Sequence, residues 1–231
     1  MNRGALFVAA ALFAGTACAC ETALVLAIDV SGSVDPSEYR LQMGGLAAAL
    51  RDPTVIDALV DAKAMVAVMQ WSGSSRQHVA VPWTQVMDQA AAARLAHDVE
   101  TAPRAFRHFS TAIGDALAAS ADLLGAIAAH CRRQVVDISG DGVSNEGLAT
   151  MRMRDALVRG GVRINGLAIE TGDDGLTAYY RREVIGGGGA FVLTARNFED
   201  YPRAIRRKLL RELTDPVARR GPAIQRVAGG R

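Results

Sequence analysis

The sequence predicts an α/β fold, doubly wound around a mostly parallel sheet of six strands with one short antiparallel edge strand. Apolar runs of strand length alternate with longer stretches of helical period along the 231 residues, the pattern of βα units around a parallel sheet. Two of the runs, Leu24-Val25-Leu26-Ala27-Ile28-Asp29 and Val135-Val136-Asp137-Ile138-Ser139, read as buried strands that each pass into a turn bearing a carboxylate. No period of 20–50 residues repeats and no linker divides the chain, so a single domain of ordinary to large size is expected.

The first strand is expected over residues 23–29 and ends in Asp29-Val30-Ser31-Gly32-Ser33. This alternating Asp-x-Ser-x-Ser array puts one carboxylate and two hydroxyls on a tight turn. The next four residues, Asp35-Pro36-Ser37-Glu38, supply an N-cap acceptor, a proline at the first helical position and a Glu three residues after the cap, so a helix is predicted over 36–50. Asp35 is thereby explained as a cap rather than as a second cation ligand. A strand over 64–71 follows, then a Gly-Ser turn and a short run over 78–81 that reads as the antiparallel edge strand of a hairpin. A helix is expected over 84–99. Phe109-Ser110-Thr111 opens a long apolar helix over 111–130, with the Thr111 hydroxyl facing a pocket. The strand over 134–139 runs into Ser139-Gly140-Asp141-Gly142, a second turn with a carboxylate at its carboxyl end.

The remaining elements are a helix over 147–159, a strand over 162–169, a helix over 176–184, a strand over 190–194 and a last helix over 197–213. The four glycines Gly186-Gly187-Gly188-Gly189 suit a tight αβ connection. A phosphate cradle would need the dinucleotide spacing or a following Lys-Ser/Thr, and neither is present. After Leu213, Asp215-Pro216 breaks the helix, and residues 214–231, with Arg219, Arg220, Arg226 and Arg231 among Gly and Pro, form a basic tail whose charge serves solubility or an acidic partner.

Half of the residues are apolar and the formal net charge is +2, which argues against both disorder and nucleic-acid binding. Lys63 and Lys208 are the only lysines, every other cationic side chain being Arg. Asn2-Arg3, the apolar stretch over 5–14 and the small-x-small pattern Ala17-Cys18-Ala19 read as a secretory signal over residues 1–19. The apolar stretch is too short to span a bilayer, and no transmembrane segment is expected in the mature chain. The expected location is periplasmic or secreted. A lipoprotein acylated at Cys18 or Cys20 is the weaker alternative, because Gly15-Thr16-Ala17 lacks a large aliphatic residue.

A hard divalent cation takes about six oxygen ligands, and Asp29, Ser31, Ser33, Thr111 and Asp141 supply oxygens from strand and helix ends. Here the sequence resembles the von Willebrand factor A domain, whose metal-ion-dependent adhesion site uses Asp-x-Ser-x-Ser, a distant Thr and a distant Asp. The match falls on those five residues in order, over roughly residues 22–213. It is most similar to bacterial, secreted, single-domain members of unknown function (DUF1194-like). Gly140 departs from the common Thr-Asp-Gly form of the last motif. The resemblance implies a Rossmann-like fold and Mg²⁺ or Mn²⁺ as cofactor, with Ca²⁺ less suited. It also implies a non-enzymatic module that captures an exposed Asp or Glu of an unidentified partner protein, and a monomer is expected.

Cys20 lies nine positions before Asp29 and Cys131 ten before Asp141. If those strands are parallel neighbours, a Cys20–Cys131 disulfide is expected across their starting ends, and two unpaired thiols remain the alternative. Trp71, Ser72, His108, Asn145 and Glu146 are candidates for a partner-binding rim, as are the rest of the segment from Arg104 to Phe109 and the loop at Thr171, Gly172, Asp173 and Asp174. Trp71 alternatively belongs to the core at the end of its strand.

A metal-assisted hydrolase is the competing class, but it needs a positioned base or nucleophile and often a second metal. His78, His97, His108 and His130 show no ligand spacing, and the H-E-x-x-H, G-x-S-x-G and P-loop motifs are absent. Only His108 lies near the proposed site, as a water-polarising group or as a solvent-facing loop residue. A scaffold with a vestigial metal site is a third reading, distinguished by binding that survives chelation.

Overall fold

The computed structural model describes residues 20–107, 109–127, 130–172 and 175–214. The expected signal segment, His108, Asp173, Asp174 and the tail from 215 onward lie outside the described residues. The elements run β1 (Cys20–Asp29), α1 (Pro36–Leu50), α2 (Pro53–Asp61), β2 (Met65–Trp71), β3 (Gln77–Gln85), α3 (Gln89–Thr101), α4 (Ile113–Gly125), β4 (Cys131–Gly140), α5 (Thr150–Arg159), β5 (Arg163–Ile169), α6 (Leu176–Tyr179), β6 (Val192–Ala195) and α7 (Tyr201–Thr214). They form one six-stranded sheet in the order β3-β2-β1-β4-β5-β6, parallel except for β3.

β1 is central and buried on both faces, so both phases of its alternation are apolar. Leu24, Leu26 and Ile28 pack with α1, α2, α3 and α7, while Ala23, Val25 and Ala27 pack with α4, α5 and α6. Chain direction around the sheet reverses between β1 and β4, and the open end of such a reversal is where α/β sheets place their ligands. At the other end of the same pair, Cys20 stands opposite Cys131 in register. The two are joined by a disulfide with a Cα–Cα distance of 4.5 Å.

Most elements fall where the periodicity predicts them, and the differences have local causes. α1 starts with the full capping box, Asp35 accepting from Ser37 N and Glu38 N while Glu38 accepts from Asp35 N. α2 was not expected. Asp52 caps it through Thr54 N and Val55 N, Pro53 occupies its first turn, and Arg206 of α7 binds the same carboxylate at 2.7 Å.

β3 continues past Pro82 to Gln85, so residues 84 and 85 are strand and α3 begins at Gln89 after its cap Asp88. The proline is tolerated because β3 is an edge strand with register shifts opposite Val66–Met69, where a missing N–H disrupts no ladder. α4 ends at Gly125 rather than 130. α5 starts only at Thr150, since Asp115 binds Leu148 N at 2.7 Å and holds the preceding residues as a loop. The helix expected over 176–184 is one α-turn followed by a π-helical turn over Tyr180–Val184.

Candidate metal centre

Asp29 is the last residue of β1, opposite Trp71 of β2, and the turn after it is held from every side. Val30 N donates to Trp71 O (2.9 Å), Gly32 N to Phe109 O (2.8 Å) and Val34 N to Ser31 O (3.2 Å). Gln42 of α1 donates to Asp29 O at 3.1 Å. Arg104, in the segment between α3 and α4, donates through Nη2 to Val30 O (2.9 Å) and Ser31 O (2.8 Å), and through Nε to Phe106 O (2.8 Å). Its guanidinium therefore braces backbone carbonyls and leaves the carboxylates of the site free of a direct cationic bond.

The structure brings the five oxygen-bearing residues together. Ser31 N donates to Asp29 Oδ1 at 2.8 Å, and the Ser31 and Ser33 hydroxyls are 3.2 Å apart. Ser33 Oγ donates to Asp141 Oδ1 at 2.7 Å, across 108 residues of sequence. Thr111 Oγ1 is 3.4 Å from Ser31 Oγ. Thr111 is held by a reciprocal pair of bonds, its N–H donating to Asn145 Oδ1 (3.0 Å) and its carbonyl accepting from Asn145 N (2.9 Å).

The electrostatics of this cluster are those of an unmatched anion. Asp29 is fully buried, and its Oδ2 has no hydrogen-bond partner among the described residues. Burial first, and repulsion from Asp141 second, push its carboxyl up to about 7, against the hydrogen bonds from Ser31 and the field of Arg104. Burial also raises the Asp141 carboxyl, opposed by Ser33. Ionised carboxylates in such surroundings are costly unless a cation joins them. The donors are two carboxylates and three hydroxyls, a set for hard oxygen-seeking ions rather than soft metals. Among the described residues no three His, Cys, Asp or Glu side chains converge on one point.

For Trp71 the structure bears out the core reading, and Ser72 drops out of the rim with it. Trp71 and Ser72 are both fully buried, so neither offers a surface to a partner. Trp71 packs into the layer under α4, and Ser72 Oγ donates to Ser110 O at 3.2 Å. They are buried because β2 runs straight under the loop that carries Thr111. Asn145 and Glu146 are exposed and also tie loops together, Glu146 accepting from Ser74 N at 2.7 Å.

Two supporting residues, Gln70 and Tyr180, escaped the sequence reading, and Arg104, expected on the rim, instead braces the turn. Gln70 is a buried amide in an otherwise apolar strand, where a buried polar group needs partners. It donates to Tyr39 Oη and Pro103 O and accepts from Ala105 N, fixing the segment that delivers Arg104.

A family model described as a protein of unknown function (DUF1194) matches residues 19–217. No curated protein matches the chain. Among solved structures, a von Willebrand factor type A protein from Catenulispora acidiphila superposes with a TM-score of 0.62 at 18% identity, over 84% of this chain and 43% of that one. Proximal thread matrix protein 1 of the mussel byssus, with a zinc-occupied MIDAS motif, gives 0.57 at 17% identity, over 84% and 46%. The vWF domain of the type V pili tip protein Mfa5 from Porphyromonas gingivalis gives 0.59 at 8% identity, over 88% and 98%. The chain spans less than half the length of the first two. These likenesses show the fold, which is that of the von Willebrand factor A domain.

Proposed function

The chain belongs to the DUF1194 family, and from that premise we propose that it is a metal-ion-dependent protein-binding module of the bacterial cell envelope, acting without catalysis. The module comprises residues 20–213, exported by the leader over 1–19. Asp29, Ser31, Ser33, Thr111 and Asp141 would hold the cation, and Mg²⁺ or Mn²⁺ suits their all-oxygen set. When bound, the ion supplies a Lewis-acidic position for an anionic oxygen from outside.

The chain's own part is to hold that position open. Ser31 N fixes one oxygen of Asp29, Ser33 orients Asp141, Asn145 clamps Thr111, and Arg104 secures the turn by its carbonyls. With only two carboxylates contributed by the chain, the loaded site would be neutral, and the ion would stay electrophilic enough to accept one further carboxylate from outside. An exposed Asp or Glu of a partner protein is the ligand such a site selects.

The observation that carries this reading is Asp29, fully buried with one oxygen unpartnered and its carboxyl raised to about 7 beside a second carboxylate. That the structures sharing this fold include a thread matrix protein and a pili tip protein supports a binding module over a hydrolase. Calorimetric titration of metal-stripped protein with Mg²⁺ and Mn²⁺, beside Asp29→Ala, tests it. Saturable binding that the variant loses is the expected result. Absence of binding to the folded protein would overturn the metal-bridged mechanism, and partner capture that survives chelation would favour a scaffold.

A further inference from the structure

The position before Asp141 is glycine, and the structure contains a reason. A Cβ on Gly140 would stand 2.7 Å from Asp29 Oδ2 and 2.8 Å from the hydroxyl of Tyr180. The space that a side chain at 140 would take is thus already occupied by a carboxylate oxygen and a phenol oxygen. Both atoms are buried, and neither has a hydrogen-bond partner among the described residues.

Tyr180 reaches this place through one departure from regular helix and two openings in the sheet. It is the first residue of the π-helical turn that follows α6, and π-turns frequently occur at functional sites. Its ring passes over β5 at Gly166, where a Cβ would meet Tyr180 Cδ1 at 2.8 Å. Its tip then enters the gap at Gly140. Two glycines on neighbouring strands therefore clear a path for one buried ring. The preceding Tyr179 is also aimed at the site, its hydroxyl accepting from Ser144 N at 3.2 Å in the loop after Asp141.

We infer that Tyr180 is a positioning residue for the cation-binding carboxylate: its hydroxyl takes the place of a side chain at position 140 and donates to Asp29 Oδ2 when Asp29 acts as a ligand. A phenol is protonated at neutral pH and so supplies a donor without adding charge. Asp29 Oδ1 is already held by Ser31 N, and a second donor on Oδ2 would fix the plane of the carboxylate, the role outer groups play around metal ligands. The inference rests on the metal-binding reading above.

The test measures Mg²⁺ affinity by calorimetry and metal-free unfolding temperature for four proteins: wild type, Tyr180→Phe, Tyr201→Phe and Asp29→Ala. Tyr201→Phe is the control, since Tyr201 is another fully buried phenol, packed in the opposite layer beside Asp137 rather than Asp29. Tyr180→Phe is expected to weaken Mg²⁺ binding about tenfold, the lower end of the usual effect of such supporting groups, without lowering the metal-free unfolding temperature. Tyr201→Phe is expected to bind as wild type does. Wild-type binding with Tyr180→Phe within twofold of it would overturn the role of Tyr180 and leave the metal reading standing. A lowered metal-free unfolding temperature with unchanged affinity would make the hydroxyl merely structural and overturn it equally. Failure of wild type to bind would remove the metal reading, and this inference with it.

Discussion

β4 and the turn that follows it deliver two acidic side chains four residues apart, Asp137 and Asp141, and the fold treats them in opposite ways. Asp137 faces α7, where the fully buried Lys208 is ion-paired with it, and with Glu212 at 2.7 Å. Asn165 joins that group by donating to Glu212 at 3.0 Å and accepting from Phe191 N at 3.0 Å. Among the described residues Asp141, with Asp29, meets only hydroxyls and backbone N–H groups, and the nearby Arg104 spends its donors on carbonyls. One cluster contains its own cation and is closed. The other has the charge without the cation, at the mouth of the sheet. A buried charge needs a partner, and what separates a structural cluster from a ligand site here is whether the chain itself provides one.

The largest effect should come from taking the internal cation away. Lys208→Met leaves Asp137 and Glu212 facing each other and is expected to cost about 3–5 kcal/mol, read from urea unfolding. Asp141→Ala, by contrast, should leave the metal-free protein close to wild type in stability while abolishing Mg²⁺ binding. Equal stability losses in the two variants would erase the distinction between the clusters.

The next effect is one of pH. The Asp29 carboxyl is raised from 3.8 to about 7, so between those values the folded protein holds a proton that the unfolded chain has released. Its contribution to stability is complete below about pH 4 and is lost as pH rises toward 7, at about 1.4 kcal/mol for each pH unit crossed. Metal-free protein should therefore unfold more easily at pH 7.5 than at pH 5, and Asp29→Asn should reduce that slope, leaving the part due to Asp137, whose carboxyl is also raised, by burial and by Glu212. An unchanged slope in this variant would mean that Asp29 is matched by some other charge.

A cation should offset the same cost at neutral pH. Mg²⁺ at 100 times its dissociation constant is expected to stabilise the protein by about 2.7 kcal/mol, and Asp29→Ala should show no gain by thermal unfolding. The smallest effect is that of the brace. Arg104→Met retains the aliphatic stem and removes the bonds to Val30 O and Ser31 O, and should lower stability by about 1–2 kcal/mol with a severalfold loss of Mg²⁺ affinity. Metal binding unaffected by this change would show that the turn holds its shape without the guanidinium.

The two clusters also differ in how far they could be read from sequence. The oxygen set was legible because each piece is local: a strand ending in Asp29-x-Ser31-x-Ser33, a helix opening at Thr111, a strand ending before Asp141. The capping box at Asp35 and the pairing of Cys20 with Cys131 were legible for similar reasons, one through short-range turn chemistry and the other through equal offsets on parallel neighbours. The closed cluster was not. Lys208 was visible as one of two lysines, but nothing near it in sequence announces that α7 turns it onto a carboxylate 71 positions earlier.

Periodicity and turn signals thus determined the doubly wound architecture and the strands that meet at its mouth, because backbone alternation and capping act over a few residues, and the family resemblance joined Asp29, Ser31, Ser33, Thr111 and Asp141 into one expected set. Tertiary structure decided depth and partnership: that Trp71 is core rather than rim, that Gly140 and Gly166 admit the ring of Tyr180, and that Asp137 has a cation while Asp29 has none among the described residues. Those outcomes depend on which side chains distant in sequence share one desolvated space, and the energy of a buried charge is set by that space as a whole.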